Sequence, residues 1–239
     1  DGTLYSLKKT KDETQNLSFT TAYTAIITAE GTTDTLTING VTYTGGALTK
    51  DYLAGALANL QTVAVSGITS EKCLSVRSGA VFAADDVRFF VNDTTSDGGA
   101  VDNNGSFTAD SCTFSNNSAT TMGGAVNNSG SFTANSCTFS NNNATIMGGA
   151  VNNNGSFTAN ASTFSKNYSG NNGGAVYNDQ GKFTANASTF SGNTADLGGA
   201  VYNSNTFESD NSIFDGNSAS NGGAVYNSDS TFTANTSTF

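Results

Sequence analysis

Residues 148–172 read GGAVNNNGSFTANASTFSKNYSGNN, and close variants of this stretch follow one another along more than half of the 239-residue chain. The tetrapeptide Gly-Gly-Ala-Val occurs six times at a constant interval, which shortens by a single residue only before the last copy. Two phenylalanines, always seven residues apart, follow each tetrapeptide. A repeat of this length and regularity indicates a solenoid in which each copy forms one coil. We number the copies repeats 1–6, and they begin at Gly98, Gly123, Gly148, Gly173, Gly198 and Gly222.

The pattern inside a repeat predicts strands. In repeat 3, Phe157 and Ala159 flank one threonine, and Ser162 and Phe164 flank another, which is the period of two of a strand with one inward face. No segment of the repeat shows the 3.6-residue period of an amphipathic helix. The three short strands of a single repeat cannot close a core alone, so each strand must pair with the same strand of the next coil. We therefore predict an all-β, right-handed parallel β-helix with about 25 residues and three strands per coil.

Two further columns of residues recur in register with the repeat. The second phenylalanine of each copy is expected in the core, and the asparagine three residues later is expected to bond to its equivalent one coil away. The phenylalanines are Phe114, Phe139, Phe164, Phe190 and Phe214, and the asparagines are Asn117, Asn142, Asn167, Asn193 and Asn217. Another set of asparagines follows each valine by two residues, from Asn103 to Asn227.

The non-repeating part lies at the N-terminal side. We interpret residues 1–70 as a cap or small α+β domain, residues 71–97 as a degenerate first coil, and residues 98–239 as the six coils. Asn39-Gly40 between alternating runs predicts a β-hairpin. A helix is predicted over residues 50–60 and a strand over residues 62–65. A cap is expected because an uncovered β-helix end would associate with other strands.

Charge and composition exclude several classes of function. The net charge is -10 and the isoelectric point is near 4.1, so neither nucleic acid nor an anionic membrane is an expected partner. No stretch approaches the ~18 apolar residues that cross a membrane. Histidine is absent, which excludes Ser–His and Cys–His pairs. We expect no catalytic residue, cofactor or structural metal. The acidic residues of repeat 5 are interpreted as a solvated acidic patch, and a weak cation site at Asp210 or Asp215 is the alternative hypothesis.

Two cysteines of the repeats, Cys112 and Cys137, are interpreted as packing residues. Cys112 and Cys137 occupy the same place in consecutive repeats, at a position where later copies carry Ser162 and Ser188. Adjacent rungs bring their Cα atoms to about 4.8 Å, inside the range for a disulfide, but the parallel side-chain directions are unfavourable for that bond. Buried free thiols are the favoured interpretation, with the disulfide left open.

Three tyrosines form the candidate binding site. Tyr177, Tyr202 and Tyr226 occupy one outward column, where repeats 1–3 carry Asp102, Asn127 and Asn152. A ladder of exposed tyrosines can bind sugar rings or a protein partner. The competing interpretation is strand propensity and ladder packing alone.

The repeat as a whole resembles that of the chlamydial polymorphic membrane proteins, which combine Gly-Gly-Ala-(Ile/Leu/Val) with Phe-x-x-Asn; Phe164 to Asn167 is one such pair here. The resemblance implies the passenger of an autotransporter-type adhesin. We expect a non-enzymatic, extracellular segment of a longer bacterial surface protein that binds protein or glycan on a host or neighbouring cell. One alternative is a spacer or filament-forming subunit that associates through its ends. Another is a carbohydrate-active β-helix whose site lies outside this segment.

Overall fold

The computed structural model describes residues 3–8, 14–19, 25–30, 33–38, 41–44, 63–66, 74–76, 78, 81–85 and 87–239. These residues form an all-β solenoid whose strands stack into four sheets, and no helix occurs among them. Adjacent coils pair in parallel at the repeat interval, as Val126 does with Val151, so the predicted β-helix is confirmed.

Six strands precede the coils: β1 (Thr3–Lys8), β2 (Thr14–Phe19), β3 (Ala25–Glu30), β4 (Thr33–Ile38), β5 (Val41–Thr44) and β6 (Val63–Ser66). Strands β4 and β5 pair antiparallel with Ile38 opposite Val41, so the predicted hairpin is present, while its turn at residues 39–40 lies outside the described residues. The predicted helix over residues 50–60 also lies outside them. Strand β6 is the strand predicted over residues 62–65.

A coil built from residues 74–94 precedes repeat 1. Its strands are β7 (Leu74–Val76), β8 (Val81–Asp85), β9 (Arg88–Phe90) and β10 (Asp93–Thr94), and each pairs in parallel with a strand of repeat 1. On its other side, β1 pairs antiparallel with β7, and β6 pairs in parallel with β9. Strands of the N-terminal segment therefore extend two of the four sheets beyond the coils.

The repeats contribute the remaining strands. Repeat 1 contains β11 (Val101–Asn103), β12 (Ser106–Asp110), β13 (Thr113–Ser115) and β14 (Ser118–Ala119). Repeat 2 contains β15 (Val126–Asn128), β16 (Ser131–Asn135), β17 (Thr138–Ser140) and β18 (Asn143–Ala144). Repeat 3 contains β19 (Val151–Asn153), β20 (Ser156–Asn160), β21 (Thr163–Ser165) and β22 (Tyr168–Ser169). Repeat 4 contains β23 (Val176–Asn178), β24 (Lys182–Asn186), β25 (Thr189–Ser191) and β26 (Thr194–Leu197). Repeat 5 contains β27 (Val201–Asn203), β28 (Thr206–Asp210), β29 (Ile213–Asp215) and β30 (Ser218–Asn221), and repeat 6 contains β31 (Val225–Asn227) and β32 (Thr231–Asn235).

Each coil before repeat 6 uses four strands where the sequence predicted three. We call the stacks of first, second, third and fourth strands sheets 1 to 4. The additional sheet 4 is built from strands of two to four residues, which are too short to display an alternating pattern in the sequence. Its inward residue in repeats 1 and 2 is a fully buried alanine, Ala119 or Ala144.

Phenylalanines fill the core in two columns. Phe107 stacks on Phe132 with ring centroids 5.0 Å apart, and Phe114 stacks on Phe139 at 4.6 Å. Rings of the two columns meet edge to face, as Phe107 and Phe114 do at 6.4 Å. Each buried phenylalanine contributes on the order of 1.5–3 kcal/mol, so these columns contribute substantially to stability.

Asparagine side chains also lie inside the coil, where they form two amide ladders. In the first, Asn103 Nδ2 donates to Asn128 Oδ1 at 2.7 Å, and the pattern continues rung by rung. In the second, Asn142 Oδ1 accepts from the backbone N–H and the Nδ2 of Asn117, both at 3.0 Å. These bonds satisfy amides that would otherwise be costly to bury, and they require the same residue at the same rung.

The Gly-Gly pair turns the chain into sheet 1. The first glycine has a positive φ, +67° at Gly98, which side chains rarely adopt. The second packs against the next coil so closely that a Cβ on Gly99 would collide with the carbonyl oxygen of Gly124. Both positions therefore exclude other residues, for two different reasons.

Cys112 and Cys137 are buried free thiols, which resolves the open alternative in favour of the packing role. The Cys112 N–H donates to Cys137 Sγ at 3.3 Å, and the Cys137 N–H donates to Ser162 Oγ at 3.0 Å. The two thiols thus take the place of serine hydroxyls in a third internal ladder. Hydrogen bonding to Cys137, and then burial, raise the pKa of the Cys112 thiol.

Candidate binding surface

The three candidate tyrosines lie on successive rungs of sheet 1. The central residue of each sheet 1 strand points outward, because the flanking valine and asparagine point into the core. Register pairs Tyr177 with Tyr202 and Tyr202 with Tyr226. Ring centroids are 5.1 and 5.3 Å apart along the column. The structure therefore brings all three side chains together in one continuous stack.

The stack exposes edges rather than faces. Its rings are inclined by 29° and 17° to their neighbours, so the faces between adjacent rungs are covered. Each tyrosine is partly buried, whereas the sequence pattern predicted exposed side chains. The outward features of this column are ring edges and phenolic hydroxyls, which form hydrogen bonds and edge contacts.

An aspartate in the turn between sheets 1 and 2 adjoins the stack. Burial, followed by the charge of Asp179, raises the pKa of Tyr177 to about 12, so this phenol is protonated at neutral pH. Asp179 is itself held in place by Ser204, whose Oγ donates to Asp179 Oδ1 at 2.9 Å. Asp179 is not among the residues predicted from the sequence, although its position two residues after Tyr177 places it in the turn that follows the same strand.

On its N-terminal side, the tyrosine stack continues an amide ladder. Asn127 Nδ2 donates to Asp102 Oδ1 at 2.8 Å, and Asn152 Nδ2 donates to Asn127 Oδ1 at 2.7 Å. The next rung is Tyr177, which offers no amide donor. Asn152 Oδ1 is consequently buried without a hydrogen-bond partner, and only 1% of the residue is exposed. An unsatisfied buried acceptor costs about 1–3 kcal/mol.

The acidic residues of repeat 5 do not converge. Glu208 forms a salt bridge with Lys182 at 2.8 Å on the outer side of sheet 2. Asp210 lies on the same sheet, whereas Asp215 ends a strand of sheet 3. Among the described residues, no group of three or more His, Cys, Asp or Glu side chains is placed to hold a metal ion.

A groove of about 330 Å³ lies beside the acidic residues Glu208 and Asp210. It is open on sheet 2 across repeats 4–6, and Thr184, Asn186, Glu208, Asp210, Thr233 and Asn235 contribute to its wall. Elsewhere on this face an outward amide ladder runs from Asn186 to Asn160 and Asn135. Asp210 cannot donate a hydrogen bond to Asn186, so the ladder stops at the groove.

Comparison with known proteins finds a family whose repeat is similar to parts of this one. Four segments match the Chlamydia polymorphic membrane protein repeat, at residues 111–129, 161–179, 187–204 and 211–228. Each match runs from the second phenylalanine strand of one repeat, or just before it, to the Gly-Gly turn and sheet 1 strand of the next. No curated protein and no solved structure matches the chain.

The described residues contain no helix with the length and apolarity that a membrane span requires. The matching repeat and the β-solenoid together fit the passenger of a bacterial surface or outer-membrane protein. The resemblance seen in the sequence is thus confirmed, because four segments of the coils are similar to the Chlamydia polymorphic membrane protein repeat.

Proposed function

We propose that this chain is the adhesive rod of an extracellular bacterial protein and that it binds a protein on another cell through the tyrosine stack. The observation that carries the proposal is the position of Tyr177, Tyr202 and Tyr226. They occupy one column in consecutive repeats, whereas the other repeats carry amide or carboxylate residues there. The buried ladders explain the repeat itself, but they do not require tyrosine at an outward position.

Ring geometry favours a protein partner over a glycan. A sugar ring binds best against an open aromatic face, and the faces between rungs are occupied by the neighbouring tyrosines. A protein surface can instead use the hydroxyls and the ring edges, which are the usual contacts of tyrosine at binding hot spots. The rod itself supplies a rigid support, because each rung is bonded to two others by backbone and side-chain ladders.

No catalytic role is included in the proposal. Histidine is absent from the chain. The two carboxylates that share an outer face, Glu208 and Asp210, differ in environment, because the first is neutralised by Lys182. Glu208 is thus held in an ion pair rather than free to act together with Asp210 as the two carboxyl groups of a glycoside hydrolase do.

Flow cytometry with the fluorescently labelled full chain tests the function. The variant Tyr202→Asn introduces the residue that repeats 2 and 3 carry in the same column, so the rung is expected to fold. A matched control is Tyr168→Asn, which replaces a half-exposed tyrosine of sheet 4 by the residue of repeat 2. We expect the labelled chain to bind cultured animal cells. Of the two variants, only Tyr202→Asn is expected to reduce this binding.

Equal binding by the Tyr202→Asn variant and the unmodified chain would contradict the proposed site. Electron microscopy of the same preparations distinguishes the adhesive function from the alternative of a spacer or filament-forming subunit. Filaments of stacked rods, with no cell binding by the unmodified chain, would support a structural subunit instead.

A further inference from the structure

Acidic residues are concentrated in the same half of the rod as the tyrosine stack. Repeats 4–6 contain six carboxylates and a single base, Lys182, which is paired with Glu208. The carboxylates are Asp179, Asp196, Glu208, Asp210, Asp215 and Asp229. Repeats 1–3 contain only Asp102, Asp110 and the base Lys166. Repeats 4–6 therefore have a net charge of -5, from six acids and one base, and account for half of the charge of the chain.

One of these carboxylates, Asp179, contacts the tyrosine stack, and a second, Asp229, lies in the corresponding turn of repeat 6. Asp179 and Asp229 lie in the turns that follow the sheet 1 strands of repeats 4 and 6, where each turn is one residue longer than in the other repeats. We define the tyrosine face as Tyr177, Tyr202, Tyr226, Asp179 and Asp229. The contact between Asp179 and Tyr177 is close enough to contribute to the raised pKa of the phenol.

The charged groups of the tyrosine face are hydrogen-bond acceptors. Asn152 Oδ1 is buried at the N-terminal end of the stack, and its amide nitrogen already donates in the opposite direction to Asn127. The carboxylates of Asp179 and Asp229 only accept hydrogen bonds when ionised. A partner suited to this face must therefore supply donors, and lysine ammonium and arginine guanidinium groups have donors and no acceptors.

We propose, as a consequence of the proposed function, that the tyrosine face binds a lysine- or arginine-rich segment of the partner protein in extended form. Positive side chains pair with Asp179 and Asp229 and pack against the electron-rich tyrosine edges and hydroxyls between them. The stack spans about 10 Å along the axis, since its two centroid separations are 5.1 and 5.3 Å. An extended segment rises about 3.3 Å per residue, so alternate side chains of a three- to four-residue stretch face the rod.

Charge excludes two other classes of ligand. Phosphate backbones and anionic lipid surfaces would meet the negatively charged half of the rod and be repelled. A neutral glycan would leave the Asp179 and Asp229 charges without a counterpart. A basic peptide accounts for the tyrosines and the carboxylates together.

The test uses two labelled peptides of identical length, one alternating lysine with threonine and one alternating glutamate with threonine. Binding to the full chain is followed by fluorescence anisotropy at low and high salt. We expect the lysine peptide to bind, the glutamate peptide not to bind, and the affinity to fall as salt screens the exposed charges. Asp179→Asn and Asp229→Asn should each weaken binding about two- to fivefold, the range for an exposed ion pair.

Asp196→Asn is the matched control, because this exposed aspartate lies on sheet 4, away from the tyrosine face. It removes the same charge and should leave the affinity unchanged. Equal weakening by all three variants would mean that only net charge attracts the peptide and would overturn the inference. Absence of lysine-peptide binding would overturn it as well.

Comparison with the cell-binding assay separates this inference from the function on which it rests. If Tyr202→Asn abolishes cell binding but the lysine peptide neither binds nor competes with cells, the adhesive function stands and the basic partner is wrong. If Tyr202→Asn leaves cell binding intact, the proposed function itself fails.

Discussion

The buried asparagine ladder makes a quantitative prediction about a single amide. Asn142 in repeat 2 joins three coils through its side chain. Its Oδ1 accepts from the Asn117 N–H and Nδ2, and its Nδ2 donates to the Phe114 carbonyl and to Asn167 Oδ1, all at 3.0 Å. The residue is 1% exposed, so water does not compete for these four bonds.

Asn142→Ala removes all four bonds. The buried Asn117 N–H then loses its side-chain acceptor, the Asn142 Oδ1. The Asn117 Nδ2 and the Asn167 Oδ1 each keep one other bond. A net hydrogen bond contributes about 1 kcal/mol, and an orphaned buried group costs about 1–3 kcal/mol. Allowing for water entry into the vacated space, we expect a loss of about 3–5 kcal/mol in the free energy of unfolding, which is large for one polar residue.

Urea denaturation followed by circular dichroism measures this loss, and amide hydrogen exchange at Asn117 reports it locally. The local probe is needed because coils of a solenoid contact only their neighbours and can open separately. Thr138→Ala is the control, since Thr138 points outward from the same coil and should change stability by less than about 0.5 kcal/mol. A loss below about 1 kcal/mol for Asn142→Ala, with Asn117 still protected from exchange, would refute the proposed energetic role of the ladder.

Three further predictions follow from the glycines, the thiols and the tyrosine stack. Gly124→Ala should prevent or strongly destabilise folding, because its Cβ would strike the backbone of Gly149, whereas Gly216→Ala, with open space around it and φ +60°, should cost only about 1–2 kcal/mol in thermal denaturation. The double variant Cys112→Ser, Cys137→Ser should keep the stability within about 1.5 kcal/mol, since Ser162 already forms the same ladder. In the unmodified chain both thiols should react with a maleimide only after denaturation, as judged by mass spectrometry. Ultraviolet difference titration against Tyr177→Phe should show the Tyr177 phenol ionising near pH 12, and Asp179→Asn should move it to lower pH. Because this folded-state pKa lies above the ordinary value of 10, the associated stability is complete below pH 10 and is lost between pH 10 and 12.

Much of the fold could be predicted because the repeat places identical residues at identical rungs. Once Phe107 and Phe132 are assigned to one column, parallel in-register pairing follows from the spacing alone. The fourth strand could not be predicted, since Ser118–Ala119 is too short to carry a period. A hydropathy argument would also place Asn142 outside, and its burial depends on partners that only the stacked coils supply.

The candidate site was predictable in its position but not in its chemistry. Register alone identified the column of Tyr177, Tyr202 and Tyr226. The covering of one ring face by the next depends on side-chain torsions, which the sequence does not specify. The approach of Asp179 to Tyr177 depends on how the longer turn folds, so no spacing rule would have paired them.

The directions of the amide ladders explain why the tyrosines have an energetic cost. Inner ladders donate toward the C-terminal end, as Asn103 does to Asn128, while outer ladders donate toward the N-terminal end, as Asn127 does to Asp102. An outer ladder can therefore begin at an aspartate without loss, because an aspartate needs only to accept. It cannot be interrupted by Tyr177 without leaving the Asn152 acceptor unpaired. An asparagine in place of Tyr177 would satisfy that acceptor and restore about 1–3 kcal/mol, so folding stability alone does not account for the tyrosine. Sites where a local rule is broken without structural gain are expected to be functional, and the interrupted ladder independently favours the tyrosine face as the binding surface.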